Sequence, residues 1–135
     1  MKEMTVQATL ENIPAVTAFV DTELEALNCP LKAQMQIDIA IDELFGNIAH
    51  YAYPSGTGEA TMRFDFDETA RTASITLIDS GIPFNPLQKD DPDVTIPADE
   101  RAVGGLGIFM VKKTMDHLVY RRENGRNMLT FCKHI

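Results

Sequence analysis

The chain has 135 residues, of which 44% are hydrophobic and 24% are charged, and this composition is typical of one globular domain that folds without disulfides. Its net charge of −8 argues against a nucleic-acid partner, and its two cysteines, Cys29 and Cys132, form no metal or redox motif. Because no signal peptide and no membrane-length apolar run is visible, we expect a cytoplasmic protein whose single domain covers residues 1–135.

The N-terminal part is predicted to form a strand and two helices. Residues 4–10 alternate weakly between apolar and polar types, which favours a strand. Asn12 is suited to cap a helix that has Pro14 in its first turn and continues to about Asn28, before a Cys-Pro pair. A second helix over residues 31–52 carries one narrow apolar stripe. The stripe consists of Ile37, Ile41, Leu44 and Ile48.

The C-terminal part is predicted to form two hairpins separated by a long loop and a helix. The segments are strands 60–66 and 73–78, a loop over 85–103, a helix over 105–115, and strands 118–122 and 128–133. Residues 86–103 are rich in proline and acidic residues, which is typical of a lid. The elements together predict a two-layer α/β (α+β) sandwich with a mixed or antiparallel sheet and helices on one face.

Glu43 and Asn47 lie one helical turn apart and flank the apolar stripe of the second helix, together with His50. This position lets them line a cavity between helix and sheet. Asn47 offers a neutral oxygen to Mg²⁺, and Glu43 could take a proton from a hydroxyl group or a water molecule. Taken alone, such a pair more often only solvates an amphipathic helix.

A polar break, Asp79-Ser80-Gly81, directly follows an apolar strand. The carboxylate of Asp79 could accept a hydrogen bond from an exocyclic amine such as that of adenine, and Gly81 would let the ring approach. The alternative is an ordinary turn at the end of a strand, because Asp-Ser-Gly is also good turn chemistry.

A glycine cluster, Gly104-Gly105-Leu106-Gly107, opens the predicted third helix. Free backbone N–H groups at a helix N-terminus can bind phosphate. The cluster is neither a Walker motif, since the Lys-Thr pair is missing, nor a Rossmann fingerprint, since the spacing differs. Nearby Arg101 could reach a γ-phosphate or pair with its acidic neighbours.

The order of these motifs resembles that of the Bergerat-fold (GHKL) ATPases, which include gyrase, Hsp90, histidine kinases and MutL. Within them it is similar to the small bacterial anti-sigma factor serine/threonine kinases. Residues 41–53 match the helix that contains the family's asparagine, residues 79–86 match the adenine box, and residues 105–116 match the glycine box and its helix. The resemblance covers nearly the whole chain and implies the Bergerat ATP-binding fold.

The resemblance also implies a role for each motif residue, with ATP and Mg²⁺ as cofactors. Glu43 would be the general base, Asn47 would hold Mg²⁺, and Asp79 would bind the adenine amine. The remaining cofactor-binding positions are Gly81 and Thr130 at the base, and His50, Arg101, Gly104, Gly105, Leu106 and Gly107 near the phosphates.

Family members sequester a sigma factor and phosphorylate a serine on a STAS-type antagonist, and many form homodimers. The resemblance implies the same partners for this chain. It implies no direct contact with nucleic acid or with a membrane. One departure is Gly104, which stands where relatives often carry arginine. It favours an alternative, a nucleotide-gated partner-switching protein without kinase activity. A third hypothesis is a histidine-kinase-like module of a phosphorelay. The sequence argues against it, because no dimerisation helix with a phospho-accepting histidine is visible.

Overall fold

The computed structural model describes residues 1–88 and 106–135. The helices are α1 (Ile13–Ala26), α2 (Leu31–Tyr51) and α3 (Leu106–Thr114), and the strands are β1 (Lys2–Gln7), β2 (Glu59–Asp67), β3 (Thr72–Asp79), β4 (His117–Glu123) and β5 (Arg126–His134). Short 3-10 turns span Leu10–Asn12 and Pro86–Gln88. None of the helices in these two ranges has the length and apolarity that a membrane span requires.

The five strands form one sheet in the order β1-β2-β3-β5-β4, and each described pair is antiparallel. Buried residues of all three helices join one face of this sheet in a common core. The predicted fold class is therefore confirmed, with an antiparallel sheet rather than a mixed one.

Alternation along the strands decides which side chains enter the core. Ile75 and Leu77 of β3 and Leu129 and Phe131 of β5 face the helices and are buried. The residues between them face the opposite side of the sheet, because successive side chains of a strand point to opposite faces. Between β4 and β5 the chain reverses in a two-residue turn, Asn124-Gly125, and both residues adopt positive φ angles, as the twist of a tight hairpin requires.

The boundaries of the first two elements differ from the prediction. Leu10 belongs to a 3-10 turn and is 48% exposed, so the strand ends earlier than expected. Asn12 precedes α1, but its side chain makes no capping hydrogen bond; instead its amide donates to the carbonyl of Gln7 at 2.8 Å. The helix ends at Ala26, two residues before the predicted end. Asn28, which follows it, has a left-handed φ of 55°, and the amide of Cys29 donates back to the carbonyl of Leu24 at 3.0 Å.

The apolar surface of α2 is wider than the predicted stripe. Ala33, Ala40 and Phe45 are buried in addition to Ile37, Ile41 and Leu44, whereas Ile48 is only half-buried. The reason is that α2 contacts both α1 and α3. A helix covered on two sides buries more than the narrow stripe that one sheet face would require.

Two carboxylates, Asp21 of α1 and Asp38 of α2, meet where these helices pack. The Oδ1 atom of each is buried and has no hydrogen-bond donor among the described residues. Burial and the neighbouring Asp21 and Glu25 raise the pKa of Asp38 to about 8. The two carboxyl groups can form a hydrogen bond with each other only if one of them keeps a proton and donates it to the other.

This pair predicts a stability that falls toward alkaline pH. The pKa of Asp38 in the folded state lies above the ~3.9 of an unfolded aspartate, so the native state holds a proton that the unfolded chain has lost. The contribution to stability is full below about pH 4 and is lost as the pH rises through about 8. We expect Asp38→Asn, which supplies a permanent donor, to be more stable than wild type by about 1–3 kcal/mol above about pH 8.

The measurement is the melting temperature at acid and alkaline pH for wild type, Asp38→Asn and Asp42→Asn. Asp42 lies on the same helix but is exposed, so its substitution serves as the matched control and should leave the pH profile of wild type unchanged. If the melting temperature of Asp38→Asn fell toward alkaline pH as steeply as that of wild type, the pair of carboxyl groups would not be the cause of the pH dependence.

Candidate functional site

A cavity lies between the C-terminal half of α2 and the adjoining ends of β3 and β5. Its lining consists of Leu44, Asn47, Ile48, Ala52, Leu77, Asp79, Phe84, Pro86, Tyr120, Asn127 and Leu129. The walls are mainly apolar and include a few polar groups, which is the usual composition of a small-molecule site. The cavity volume is about 20 Å³, close to what one water molecule needs. A planar ring can therefore enter only if lining side chains move apart.

Asp79 is the acidic group of this cavity. It is the last residue of β3 and is only 5% exposed. Its Oδ1 atom accepts hydrogen bonds from the backbone N–H of Gly81 and from Nδ2 of Asn127, both at 2.9 Å. Its Oδ2 atom accepts none from the residues that the structure describes.

Asn127 holds Asp79 and was missed by the sequence analysis. It is the cross-strand partner of Asp79 on β5 and is equally buried. Two signals were present in the sequence. Asparagine is depleted in strands, and position 127 shares the inward parity of Leu129 and Phe131. Recognising them required the pairing of β3 with β5, which the sequence analysis did not predict.

Close backbone packing fixes the turn after Asp79. A Cβ atom at Gly81 would overlap the backbone carbonyl of Ala52, at the end of α2, so no larger residue fits without a shift. The same carbonyl accepts the N–H of Ile82 at 2.9 Å. Gly81 thus ties the turn to the helix rather than touching the cavity.

Tyr53 anchors the same turn from the other side. Its hydroxyl donates to the carbonyl of Glu59 at 2.6 Å and accepts the N–H of Ser80 at 2.9 Å. Its ring packs where a Cβ of Gly58 would otherwise lie. Burial raises the pKa of Tyr53, an effect that the nearby carboxylate of Asp79 reinforces, so the hydroxyl keeps the proton that it donates.

Glu43 lies one turn before Asn47 on α2, and the structure brings it to the start of α3. A Cβ atom at Gly107 would overlap the carboxylate of Glu43, which shows that the carboxylate packs directly on this glycine. Gly107 is in the first turn of α3, where the helix dipole favours negative charge. The predicted base and part of the predicted phosphate cradle are therefore neighbours.

Asn47 is half-buried and lines the cavity with Asp79. The described ranges contain no cluster of three or more His, Cys, Asp or Glu side chains that could bind a metal ion. A single carboxamide oxygen suits Mg²⁺ only when phosphate oxygens and water supply the other ligands. Asn47 thus fits a magnesium ion that arrives with a nucleotide.

His50 and Thr130, like Gly81, lie outside the lining of the cavity. His50 is exposed at the end of α2, and its ring lies 5.9 Å from that of Tyr51. Thr130 points to the opposite face of the sheet, where its hydroxyl is hydrogen-bonded to that of Thr76 at 2.9 Å. The physical reason is parity, since Thr130 is three residues from Asn127 and an odd offset reverses the face.

The rest of the predicted phosphate site lies mostly outside the described residues. Arg101, Gly104 and Gly105 fall in the undescribed segment, as does the predicted lid after residue 88. Leu106 begins α3. At the start of the predicted lid, Pro86 is buried and contributes to the cavity wall.

Comparison with known proteins gives consistent matches. A family model described as a histidine kinase-like ATPase domain matches residues 6–133. The serine/threonine-protein kinase BtrW of Bordetella bronchiseptica is 27% identical over 103 residues, which are 76% of this chain and 72% of that protein.

Two solved structures share the fold. The RsbU and RsbW domains of a Mycobacterium tuberculosis protein align with 99% of this chain at a TM-score of 0.62 and 14% identity. The histidine kinase domain of a blue-light activated histidine kinase from Erythrobacter litoralis aligns with 78% at a TM-score of 0.55 and 17% identity. This chain spans only 32% and 46% of those two chains.

Proposed function

This chain belongs to the histidine kinase-like ATPase domain family, and from that premise we propose that it is an anti-sigma regulatory kinase. It binds Mg·ATP, phosphorylates a serine on a STAS-type antagonist, and sequesters a sigma factor. The observation that carries the proposal is the convergence of Asp79 and Asn47 on one cavity, with Glu43 beside the start of α3. The kinase relative BtrW supports the phosphotransfer.

The cavity supplies the contacts for a nucleotide base. The Oδ2 atom of Asp79 would accept the exocyclic amine of adenine, while Leu77 and Leu129 of the sheet and Ile48 of α2 would contact the ring. Asn47 would ligate the magnesium ion that accompanies the phosphates. The N-terminal turn of α3, with Gly107, would receive phosphate through its free N–H groups.

Glu43 would perform the proton transfer. In the proposed step the serine oxygen forms a bond to the γ-phosphorus, the bond from that phosphorus to the β–γ bridging oxygen breaks, and ADP leaves. The proton of the serine hydroxyl passes to the carboxylate of Glu43. Magnesium would neutralise the charge that develops on the phosphates.

The partner proteins follow from the family rather than from a contact seen here. A phosphate on the antagonist adds about two negative charges at neutral pH, which would release it from this acidic protein and leave the sigma factor bound. We propose that the protein acts in the cytoplasm as a homodimer.

Nucleotide binding is tested by thermal stabilisation. We expect Mg·ATP at one hundred times its dissociation constant to stabilise wild type by about 2.7 kcal/mol. Asn47→Ala should lose the part of this stabilisation that depends on Mg²⁺, because its cation-binding oxygen is gone. The measurement is the melting temperature with ATP, with and without magnesium.

Gln36→Ala is the control for this experiment, since Gln36 lies on the same helix and does not line the cavity. It should respond to Mg·ATP like wild type. If millimolar nucleotide failed to raise the melting temperature of wild type, the ATP-binding proposal would be wrong.

A second candidate function is a nucleotide-gated switch that binds partners without phosphorylating them. Gly104 favours it, because an arginine at this position would help to stabilise γ-phosphate charge during transfer. Stabilisation by ATP together with an absence of phosphoserine on a STAS partner would select this function over the kinase.

A further inference from the structure

We propose that Asn127, held by Tyr120, is a positioning residue that fixes Asp79 as a hydrogen-bond acceptor and thereby sets the selectivity for adenine nucleotides. The inference rests on the proposed nucleotide-binding function. It concerns residues outside the sequence motifs, and it explains how the carboxylate of Asp79 is oriented in the cavity.

The orientation of the Asn127 carboxamide is fixed by its partners. Its Oδ1 atom accepts the hydroxyl of Tyr120 at 2.5 Å and the backbone N–H of Phe84 at 3.3 Å. Its Nδ2 atom donates to the backbone carbonyl of Ile82 at 2.8 Å and to Oδ1 of Asp79 at 2.9 Å. The N–H of Phe84 can only donate and the carbonyl of Ile82 can only accept, so a flipped amide would break both contacts.

The fixed amide determines what Asp79 offers to a ligand. Asn127 and the N–H of Gly81 both donate to Oδ1 of Asp79, so this oxygen is engaged from two directions. The carboxylate plane is thereby held, and Oδ2 is left without a partner among the described residues. Asp79 lines the cavity and is only 5% exposed, so a ligand would reach this oxygen from the cavity.

Strand pairing explains why these side chains meet. Asn127 is directly opposite Asp79 on β5, and Tyr120 of β4 lies on the same face of the sheet, diagonal to Asn127. Arg122 of β4 is opposite Asn127 and donates from Nη1 to the carbonyl of Gly81 at 2.8 Å. Side chains of β4 and β5 thus hold both the carboxylate of Asp79, at the end of β3, and the turn that follows it.

A braced acceptor discriminates between purines. The 6-amino group of adenine is a donor and would meet Oδ2 of Asp79, whereas a 6-oxo group would place two acceptors against each other. A buried site built to receive a hydrogen bond rejects ligands that leave it unpaired. If Asn127 no longer held the carboxylate, Asp79 could rotate, and the contribution of the amine would shrink.

The test compares Mg·ATP with the triphosphate of purine riboside, which lacks the amine, by isothermal titration calorimetry. For wild type we expect removal of the amine to weaken binding by about 10–100-fold. For Asn127→Ala the two ligands should bind within about threefold of each other, and Tyr120→Phe should give an intermediate ratio. A general loss of structure would weaken both ligands equally and leave the ratio unchanged.

Thr76→Val is the matched control, because Thr76 is on β3 with Asp79 and loses one side-chain hydrogen bond on the opposite face of the sheet. It should keep the ratio of wild type. If Asn127→Ala does not fold, Tyr120→Phe decides the question, since it removes only one hydroxyl group.

Three results would overturn the proposal. An unchanged ratio in the folded variants would limit Asn127 and Tyr120 to a structural role. A wild-type protein that binds both ligands equally would show that the amine is not read, although ATP binding itself would stand. If wild type bound neither ligand, the proposed function would fail, and the selectivity would fail with it.

Discussion

Glu43→Gln is expected to lower the rate of serine phosphorylation by about 10²–10⁴-fold while leaving the affinity for Mg·ATP nearly unchanged. Glutamine has the shape of glutamate and can keep the contact with Gly107, but it cannot take a proton from the serine hydroxyl. The loss should therefore appear in the catalytic rate and not in binding. The measurement is single-turnover transfer of labelled phosphate from ATP to the STAS partner.

Asp42→Asn is the matched control for this rate. Asp42 is the adjacent carboxylate of α2, but it is exposed, whereas Glu43 is half-buried against Gly107. Its substitution removes the same charge from the same helix and should leave the rate as it is. Undiminished phosphorylation by Glu43→Gln would contradict the role of Glu43 as general base. A wild-type protein that binds ATP without phosphotransfer would favour the nucleotide-gated switch.

Asp79→Asn is expected to weaken ATP binding by about 10–100-fold and to improve the binding of ITP, whose base carries a 6-oxo group. The new carboxamide can keep its oxygen toward the N–H of Gly81 and Nδ2 of Asn127. Its NH₂ group then takes the place of Oδ2 and faces the ligand. A donor in this place repels the adenine amine and pairs with a 6-oxo group.

Competition titrations with the two Mg-nucleotides measure this exchange of preference. Asp65→Asn, at an exposed position of β2, is the control and should bind both nucleotides like wild type. Equal losses for ATP and ITP in Asp79→Asn would mean that the substitution damages the cavity and that Asp79 does not read the base.

The fold could be predicted from the sequence because most of its elements have a clear periodic pattern. The alternation in β2 and β3 and the Asn124-Gly125 turn specify two hairpins, and all of these elements are present in the structure. The prediction for Asn12 was wrong because local hydrogen bonds compete for the same side chain. Asn12 was expected to cap α1, but the carbonyl of Gln7 lies within reach of its amide, and that contact replaces the cap.

The candidate site was predictable only where its residues are close in the sequence. Glu43 and Asn47 share a helix, so their relation follows from helical geometry. Asn127 is 48 residues from Asp79, and the pair becomes visible only when the register of β3 against β5 is known. The face of the sheet on which Thr130 lies depends on the same register. The buried contact of Asp21 with Asp38 depends likewise on how two helices pack.

The narrow cavity has a consequence for the time course of association. Since it holds about one water molecule, a purine must wait until side chains such as Phe84 and Pro86 move outward. In rapid mixing with ATP, the observed rate should then level off at high concentration, at the rate of this opening. The ring of Phe84 lies 5.3 Å from the ring of exposed Tyr51, and we expect this contact to oppose the outward movement of Phe84. Removing that ring with Tyr51→Ala should raise the plateau.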